Sequence, residues 1–231
     1  MIKIENVEVT GWNPAIRGMR NPMNSWDKSD SEFLIYSTDD GSELIEIGEN
    51  DLNLMRTLVK RGSDESKFLR MIIVTCDITA PLYWWKEFDT YRAGVTPNPM
   101  DIEMNSCSTM HKIHAKEFTL DDFSCEHLTN WYGDMKLYGR NTLDEIVNCL
   151  NKARELYLET KDKKYWWQMI QLLPSSYNQK RTLQLNYAVL RNINRPNSRK
   201  YHKLDEWREF CKWCDTLPYY LDIFNEVSTN E

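Results

Sequence analysis

Four groupings of side chains in this sequence could do chemistry. Cys211 and Cys214 form a C-x-x-C pair, the spacing of dithiol redox sites, whose attacking thiol works best where a strand hands over to a helix N-terminus. Here the pair falls late in a helical pattern, where the helix dipole raises a thiol pKa instead. A structural zinc would need a second pair at matching spacing, which is absent, so the plainer reading is two packed thiols one turn apart. Cys107, His111, His114, Cys125 and His127 combine soft and imidazole ligands in one short stretch and could close a tetrahedral zinc site. Their spacing matches no zinc module with a mechanical rationale, and loop histidines paired with neighbouring acids are the preferred reading. Arg191, Arg195, Arg199, Lys200 and His202 make a basic cluster. It is either a holder for a phosphate, through charge-assisted hydrogen bonds, or a solvated helix end. Trp84, Phe88 and Tyr91 share one helix face with Lys86 and Arg92 elsewhere around it, which by periodicity alone reads as a core-facing stripe. There is no glycine-rich phosphate loop, no G-x-S-x-G and no H-E-x-x-H.

The elements that must position these groups can be read from pattern and punctuation. Residues 2–10 alternate as a strand, and the turn-rich stretch from Gly11 to Ser31 holds Trp12 and Trp26. Phe33 to Ile47 reads as a strand hairpin turning at Asp39-Asp40-Gly41. Asn50 is expected to cap a helix that presents Leu52, Met55, Leu58 and Val59 on one face and stops at Gly62. Residues 69–79 are the most strand-like run, and Pro81 starts the aromatic helix by the first-turn proline rule. The stretch 93–130 reads as a long loop with some short helix. Helices are expected at 142–160 capped by Asn141, at 163–172 ended by Pro174, at 177–194 and at 203–214. The pattern is α+β in a single domain, 1–231, with early antiparallel or mixed strands followed by a helical second half.

Composition limits the functional classes. The chain has 231 residues, enough to bury a sizeable core without covalent staples. A net charge of −6 argues against a surface built for polymeric nucleic acid, while leaving room for a local basic pocket. No apolar run is long enough to span a membrane. The first residues lack a signal-peptide pattern, so six reduced cysteines in the cytoplasm are expected. Nine Trp and twelve Tyr beside only eight Gly imply that any nucleotide would be held by side chains rather than by a glycine loop.

In series, these pieces resemble one family, the flavin-dependent thymidylate synthases. A helix ending in Gly62, then Ser66-Lys67-Phe68, a strand ending in Thr79-Ala80-Pro81 and an aromatic helix ending in Arg92 are similar to the family's first half. Asn105-Ser106-Cys107-Ser108 looks like its following asparagine–serine segment. The helix 142–160, Leu173-Pro174 with Tyr177, Leu185-Asn186 and the H-x-x-x-E-W from His202 to Trp207 are similar to its second half. The resemblance covers roughly residues 45–225. It implies an α/β subunit in a homotetramer with FAD between subunits. It also implies FAD-assisted methylation and reduction at C5 of dUMP or a related pyrimidine nucleotide, with NADPH and methylenetetrahydrofolate as co-substrates. The alternative is a non-catalytic relative that keeps the fold to bind a ligand or partner. By resemblance Ser66, Arg92, Asn105, Asn186 and His202 would lie near flavin, and Ser108 and Arg195 near the nucleotide; no metal and no protein nucleophile are implied, the chemistry being largely the cofactor's.

The sequence departs from the family in four places. The hallmark Arg-His-Arg before the loop is Thr90-Tyr91-Arg92, and the loop from Arg92 to Ser108 is longer, with an insertion near Pro97 to Glu103. Arginines expected two residues after the loop serine and four before the Leu-Pro proline are Met110 and Ile170. Each lost charge-assisted hydrogen bond is worth about 1.5–3 kcal/mol, so ordinary dUMP binding is expected to weaken unless Arg191, Arg195 or Arg199 compensates.

Overall fold

The computed structural model describes residues 2–37, 43–91 and 102–225. In chain order the strands are β1 (Lys3–Thr10), β2 (Glu32–Ser37), β3 (Glu43–Glu46), β4 (Ile73–Pro81), β5 (Ile102–Ser106), β6 (Trp131–Tyr132), β7 (Met135–Lys136) and β8 (Asn178–Asn186). The helices are α1 (Trp12–Arg20), α2 (Glu49–Arg61), α3 (Leu82–Phe88), α4 (Gly139–Thr160), α5 (Lys163–Leu172), α6 (Tyr187–Ile193), α7 (Asp205–Cys214) and α8 (Tyr220–Phe224). The main sheet has the order β1–β4–β8–β5. Two antiparallel hairpins stand beside it in sequence: β2–β3, with Phe33 opposite Ile45, and β6–β7, with Trp131 opposite Lys136. The fold class is the α+β one expected.

The chain divides into two compact units whose limits cut through the strands of the main sheet. The larger comprises Ile4–Ile78, Thr90–Asn105 and Thr182–Glu231. Its helices bury the faces their spacing dictates. Trp12, Ala15, Ile16 and Met19 repeat at helical intervals and are all buried. In α2 the buried residues include Leu52, Met55, Leu58 and Val59. A turn formed by Lys67–Arg70 packs against α1 and α6. Trp12 meets Tyr187 and Tyr219 edge-on, with ring centroids 5.4 and 5.7 Å away, and the Tyr187 hydroxyl donates to the Pro218 carbonyl at 2.6 Å. One charged pair lies inside this core. Arg20 Nε donates to Asp51 Oδ1 at 2.6 Å with both side chains buried, and Asp51 Oδ2 accepts from the hydroxyls of Ser29 and Ser31, each at 2.7 Å.

The smaller unit comprises Met1–Lys3, Thr79–Asp89 and Ser106–Arg181. Its α4 packs along α5, and Leu143, Val147, Leu150, Ala153 and Met169 join Ile113, Phe118 and Phe123 in one apolar cluster. In α3, Trp84, Trp85 and Phe88 are fully buried. Pro81 caps this helix, and the first two amides donate to the carbonyls of Tyr177 and Ser175, both at 3.0 Å. Two of the four unmet donors of a helix start are thereby satisfied.

Three expectations about elements need correction. The stretch 11–31 is not all turn, because α1 occupies its first half; Pro14 falls in the first turn, where no amide donor is needed. Gly11 allows this entry: its φ is 90°, and a side chain there would collide with the Met71 carbonyl. Residues 177–194 are not one helix but β8 followed by α6. Caps also shift, with α2 starting from Gly48 and α4 from Tyr138, while Asn141 instead accepts from Asn130 at 2.7 Å. Within the long stretch 93–130 the structure places strand β5. The turn at Asp39-Asp40-Gly41, Arg92 and the first part of the insertion near Pro97 lie outside the described residues.

Candidate functional site

The basic cluster owes its geometry to the way α6 ends. Beyond Ile193 the chain does not continue as a helix. It folds back in successive tight turns, with the amides of Ser198 and Lys200 donating to the Arg195 carbonyl at 2.9 and 3.3 Å, and that of Arg199 to the Ile193 carbonyl at 3.0 Å. Arginines four apart in sequence therefore do not line one helical face. Arg195 and Arg199, with Thr90, Tyr91, Asn192 and Ser198, instead wall a cavity of about 460 Å³ in the larger unit.

Tyr91, only 8% exposed, organises this cavity. Arg199 Nε donates to its hydroxyl at 2.8 Å. The same hydroxyl lies 3.2 Å from Ser198 Oγ, and either oxygen can be the donor. The Arg199 guanidinium also stands 5.5 Å from the Tyr91 ring and 5.0 Å from the Trp207 ring, and those two rings are 5.7 Å apart. A guanidinium held by a fixed hydrogen bond between two aromatic faces loses little freedom on meeting an anion. The Arg195 side chain has no hydrogen bond or ion pair among the described residues and lines the cavity uncommitted. His202 adjoins Trp207, with ring centroids 6.4 Å apart. Its Nδ1 accepts from the Leu204 amide at 3.2 Å.

The other residues singled out in the sequence sit differently. Ser66 is 4% exposed and its hydroxyl donates to the Gly62 carbonyl at 2.8 Å, closing the turn that follows α2. Asn186 is 3% exposed and its Oδ1 accepts from the Val189 amide at 3.1 Å, capping α6. These two serve local backbone structure. Asn105 is exposed on β5. Ser108, exposed in the smaller unit, accepts from the amides of Met110 and His111 at 3.2 and 2.8 Å, so its oxygen holds a turn while its proton is left to donate. Met110 and Ile170, the two positions where the resemblance leads one to expect arginines, differ in setting. Met110 is 49% exposed with its carbonyl taken by Trp166 Nε1 at 3.0 Å, and Ile170 packs on the apolar cluster of α4 and α5.

The thiols and histidines resolve toward packing. Cys76, Cys211 and Cys214 are buried. Burial pushes the Cys76 and Cys211 thiols up to about 12 and Cys214 well above its ordinary value, so the C-x-x-C pair is unreactive. Among the described residues no three His, Cys, Asp or Glu side chains gather as metal ligands, and the Cys107–His127 group is not assembled. Sequence reading missed Arg181, which it had placed in a helix. On β8 it lies 4.3 Å from the Trp85 ring and donates to Asp89 at 2.8 Å and to Gln179 Oε1 at 3.0 Å, anchoring the aromatic helix to the strand. The polar–apolar alternation of Thr182-Leu183-Gln184-Leu185-Asn186 beside it was the available signal.

Arg195 and Arg199 set two guanidiniums on one cavity, donors suited to an anion. For a flavin the match is partial: His202 and Asn105 reach the surface, Ser66 and Asn186 are spent within the chain, and Arg92 lies outside the described residues. No helix among the described residues is long and apolar enough to cross a membrane.

No protein-family model and no curated protein matches the chain by sequence. Its fold is similar to that of thymidylate synthase X from Helicobacter pylori, solved with FAD and dUMP, at 16% identity over 96% of each chain with a TM-score of 0.62. A second structure, the flavin-dependent thymidylate synthase ThyX from Helicobacter pylori complexed with FAD and dUMP, matches at 17% identity over 94% of this chain and 95% of that one, with a TM-score of 0.59. At these identities the likeness establishes the fold.

Proposed function

We propose that the protein is a divergent flavin-dependent thymidylate synthase-like protein that binds FAD and a pyrimidine nucleotide, dUMP or a relative of it. The observation that carries this reading is the Tyr91–Arg199–Trp207 arrangement beside an uncommitted Arg195, found in a chain that shares nearly its whole length with proteins solved with FAD and dUMP. Arg195 and Arg199 hold phosphate oxygens, Ser108 donates to the nucleotide, and His202, Asn105 and Arg92 meet the flavin. Ser66 and Asn186 act on the site through the turn and the cap they maintain. The flavin, when bound, supplies the hydride chemistry; the chain orients the nucleotide and offsets its charge. In this reading the chain is one domain, works as a homotetramer in the cytoplasm, and takes NADPH and methylenetetrahydrofolate as co-substrates for methyl transfer to C5.

A second reading, a non-catalytic relative that retains ligand binding, is favoured by Met110 and Ile170 standing where the family has arginines. The two part on one pair of measurements. Titration of the purified protein with FAD, followed by flavin absorbance and the thermal transition, is expected to show a saturable upward shift. With dUMP and folate added, the enzyme reading requires NADPH oxidation that depends on dUMP. Uptake of FAD without that oxidation supports the binding protein. A protein that takes up neither FAD nor dUMP would falsify both.

A further inference from the structure

On the other side of Arg195 from Tyr91, the larger unit carries two further cavities that share a wall. One, of about 410 Å³, is lined by Arg56, Lys60, Arg191 and Phe224 among others. The next, of about 370 Å³, is lined by Arg191 and Phe224 again, with Arg195 and Lys200. Arg191 is the partition. It projects from α6, donates Nη2 to the Val59 carbonyl near the end of α2 at 3.2 Å, and lies 5.6 Å from the Phe224 ring of α8. Five cations thus line adjoining cavities in a chain whose net charge is −6.

Their internal compensation is slight. Among the described residues Asp215 is the one acid lining either cavity; it stands 3.8 Å from Lys200 and accepts from Asn194 at 2.7 Å. Arg56 is tied to the exposed Glu49 at 3.1 Å. The Lys60 side chain, like that of Arg195, has no ion pair or hydrogen bond among the described residues. Burial, with the nearby charge of Arg195 added, depresses the Arg191 guanidinium from its ordinary value. Like charges assembled at this cost are relieved by an anion, which gains charge-assisted hydrogen bonds in a partly dehydrated setting.

We propose that these two cavities form a binding site for a linked phosphate chain, such as that of a nucleoside triphosphate or an inorganic oligophosphate, which meets the Tyr91–Arg199 cavity only at Arg195. The partition selects the length. A single phosphate can sit on one side of Arg191 but cannot engage Lys60 and Lys200 together, because they line different cavities. Linked phosphates passing the Arg191 guanidinium reach both. The proposal does not depend on the flavin or on dUMP.

Calorimetric titration of the full chain with sodium tripolyphosphate, orthophosphate and a nucleoside triphosphate tests it. Tripolyphosphate is expected to bind saturably and at least about tenfold more tightly than orthophosphate, as one added charge-assisted contact is worth about tenfold or more. Lys60→Gln and Lys200→Gln are each expected to weaken tripolyphosphate by about tenfold, whereas Arg199→Gln leaves it unchanged and weakens dUMP. Lys60 makes no contact whose loss threatens the fold, and an unchanged thermal transition verifies that. A nucleoside triphosphate binding better than tripolyphosphate identifies a nucleotide source within the proposal; equal binding identifies the bare chain as the recognised group. Equal affinity for orthophosphate and tripolyphosphate overturns the proposal, as does indifference to both lysine substitutions. Loss in Arg199→Gln alone assigns the anion to the Tyr91 cavity and overturns it too. Saturable binding of a single-stranded RNA oligonucleotide that tripolyphosphate fails to displace overturns it in favour of nucleic acid.

Discussion

Arg199 donates Nε to the Tyr91 hydroxyl at 2.8 Å while its guanidinium stands 5.0 Å from the Trp207 ring. The pair joins the end of the aromatic segment to the turn after α6, and it makes a cation of defined direction out of a side chain that would otherwise sweep through solvent. Lysine at 199 would keep the charge but lose both the directed donor and the planar stacking surface. Arg199→Lys and Tyr91→Phe are therefore expected to weaken dUMP binding several-fold each. Tyr91→Phe also loses about 0.5–1.5 kcal/mol of stability with its hydrogen bonds. Titration of dUMP alongside urea unfolding measures both, and unchanged affinity in the two variants would remove Tyr91 from the site.

The buried pair of Arg20 and Asp51 sets a pH dependence. Desolvation pushes the Asp51 carboxyl up, but hydrogen bonds from Ser31, Ser29 and Arg20 together outweigh it and leave the pKa below its ordinary 3.8. A depressed folded pKa means stability that is fully present above the unfolded value and is lost as pH falls through the folded one. Unfolding free energy is thus expected to fall below about pH 4. Asp51→Asn strands the Arg20 charge and costs about 3–5 kcal/mol near neutral pH. Urea titrations between pH 2 and 7 distinguish this from a surface pair, whose removal would cost under about 1 kcal/mol.

The thiols divide by burial. Cys107 and Cys149 are exposed and Cys125 is half-buried, whereas Cys76, Cys211 and Cys214 are buried with pKa values raised by loss of hydration. An aromatic disulfide reagent near pH 8 should label at most three sites in the native protein and six after unfolding. Rapid native labelling of Cys211 or Cys214, located by peptide mapping, would return the C-x-x-C pair to candidacy as a redox site.

Arginines placed at the two positions where the resemblance leads one to expect them should give opposite results. Met110 is half exposed, so Met110→Arg is expected to leave stability within about 0.5 kcal/mol and to raise dUMP affinity about tenfold, the worth of one charge-assisted contact. Ile170 packs on the cluster of α4 and α5, so Ile170→Arg should cost about 1–3 kcal/mol by placing a charge where a hydrocarbon was. A Met110→Arg protein with unaltered dUMP affinity would count against the family reading of that loop.

What the amino-acid order decided by itself was the set of elements whose cause is local. Gly62 stops α2 at a φ of 108°, Pro81 opens α3, and Asp162 caps α5 by accepting from the Lys164 amide at 3.0 Å. The α+β class followed from these, as did the buried stripes of α2 and α4. Tertiary structure alone decided the rest. Residues 178–186 carry a helix-compatible spacing, yet they form β8 because β4 and β5 flank them in the sheet, a pairing no local propensity encodes. Ser66 and Asn186 read as ligand contacts in sequence, and in the fold the Ser66 hydroxyl also closes a turn and Asn186 Oδ1 also caps a helix. The arginines at 191, 195 and 199 keep a helical interval that the chain abandons after Ile193, so Arg191 and Arg199 line different cavities with Arg195 between them. Charge and count were legible in advance. Which cation faces which cavity was not, because that depends on where a helix ends and what the turns beyond it pack against.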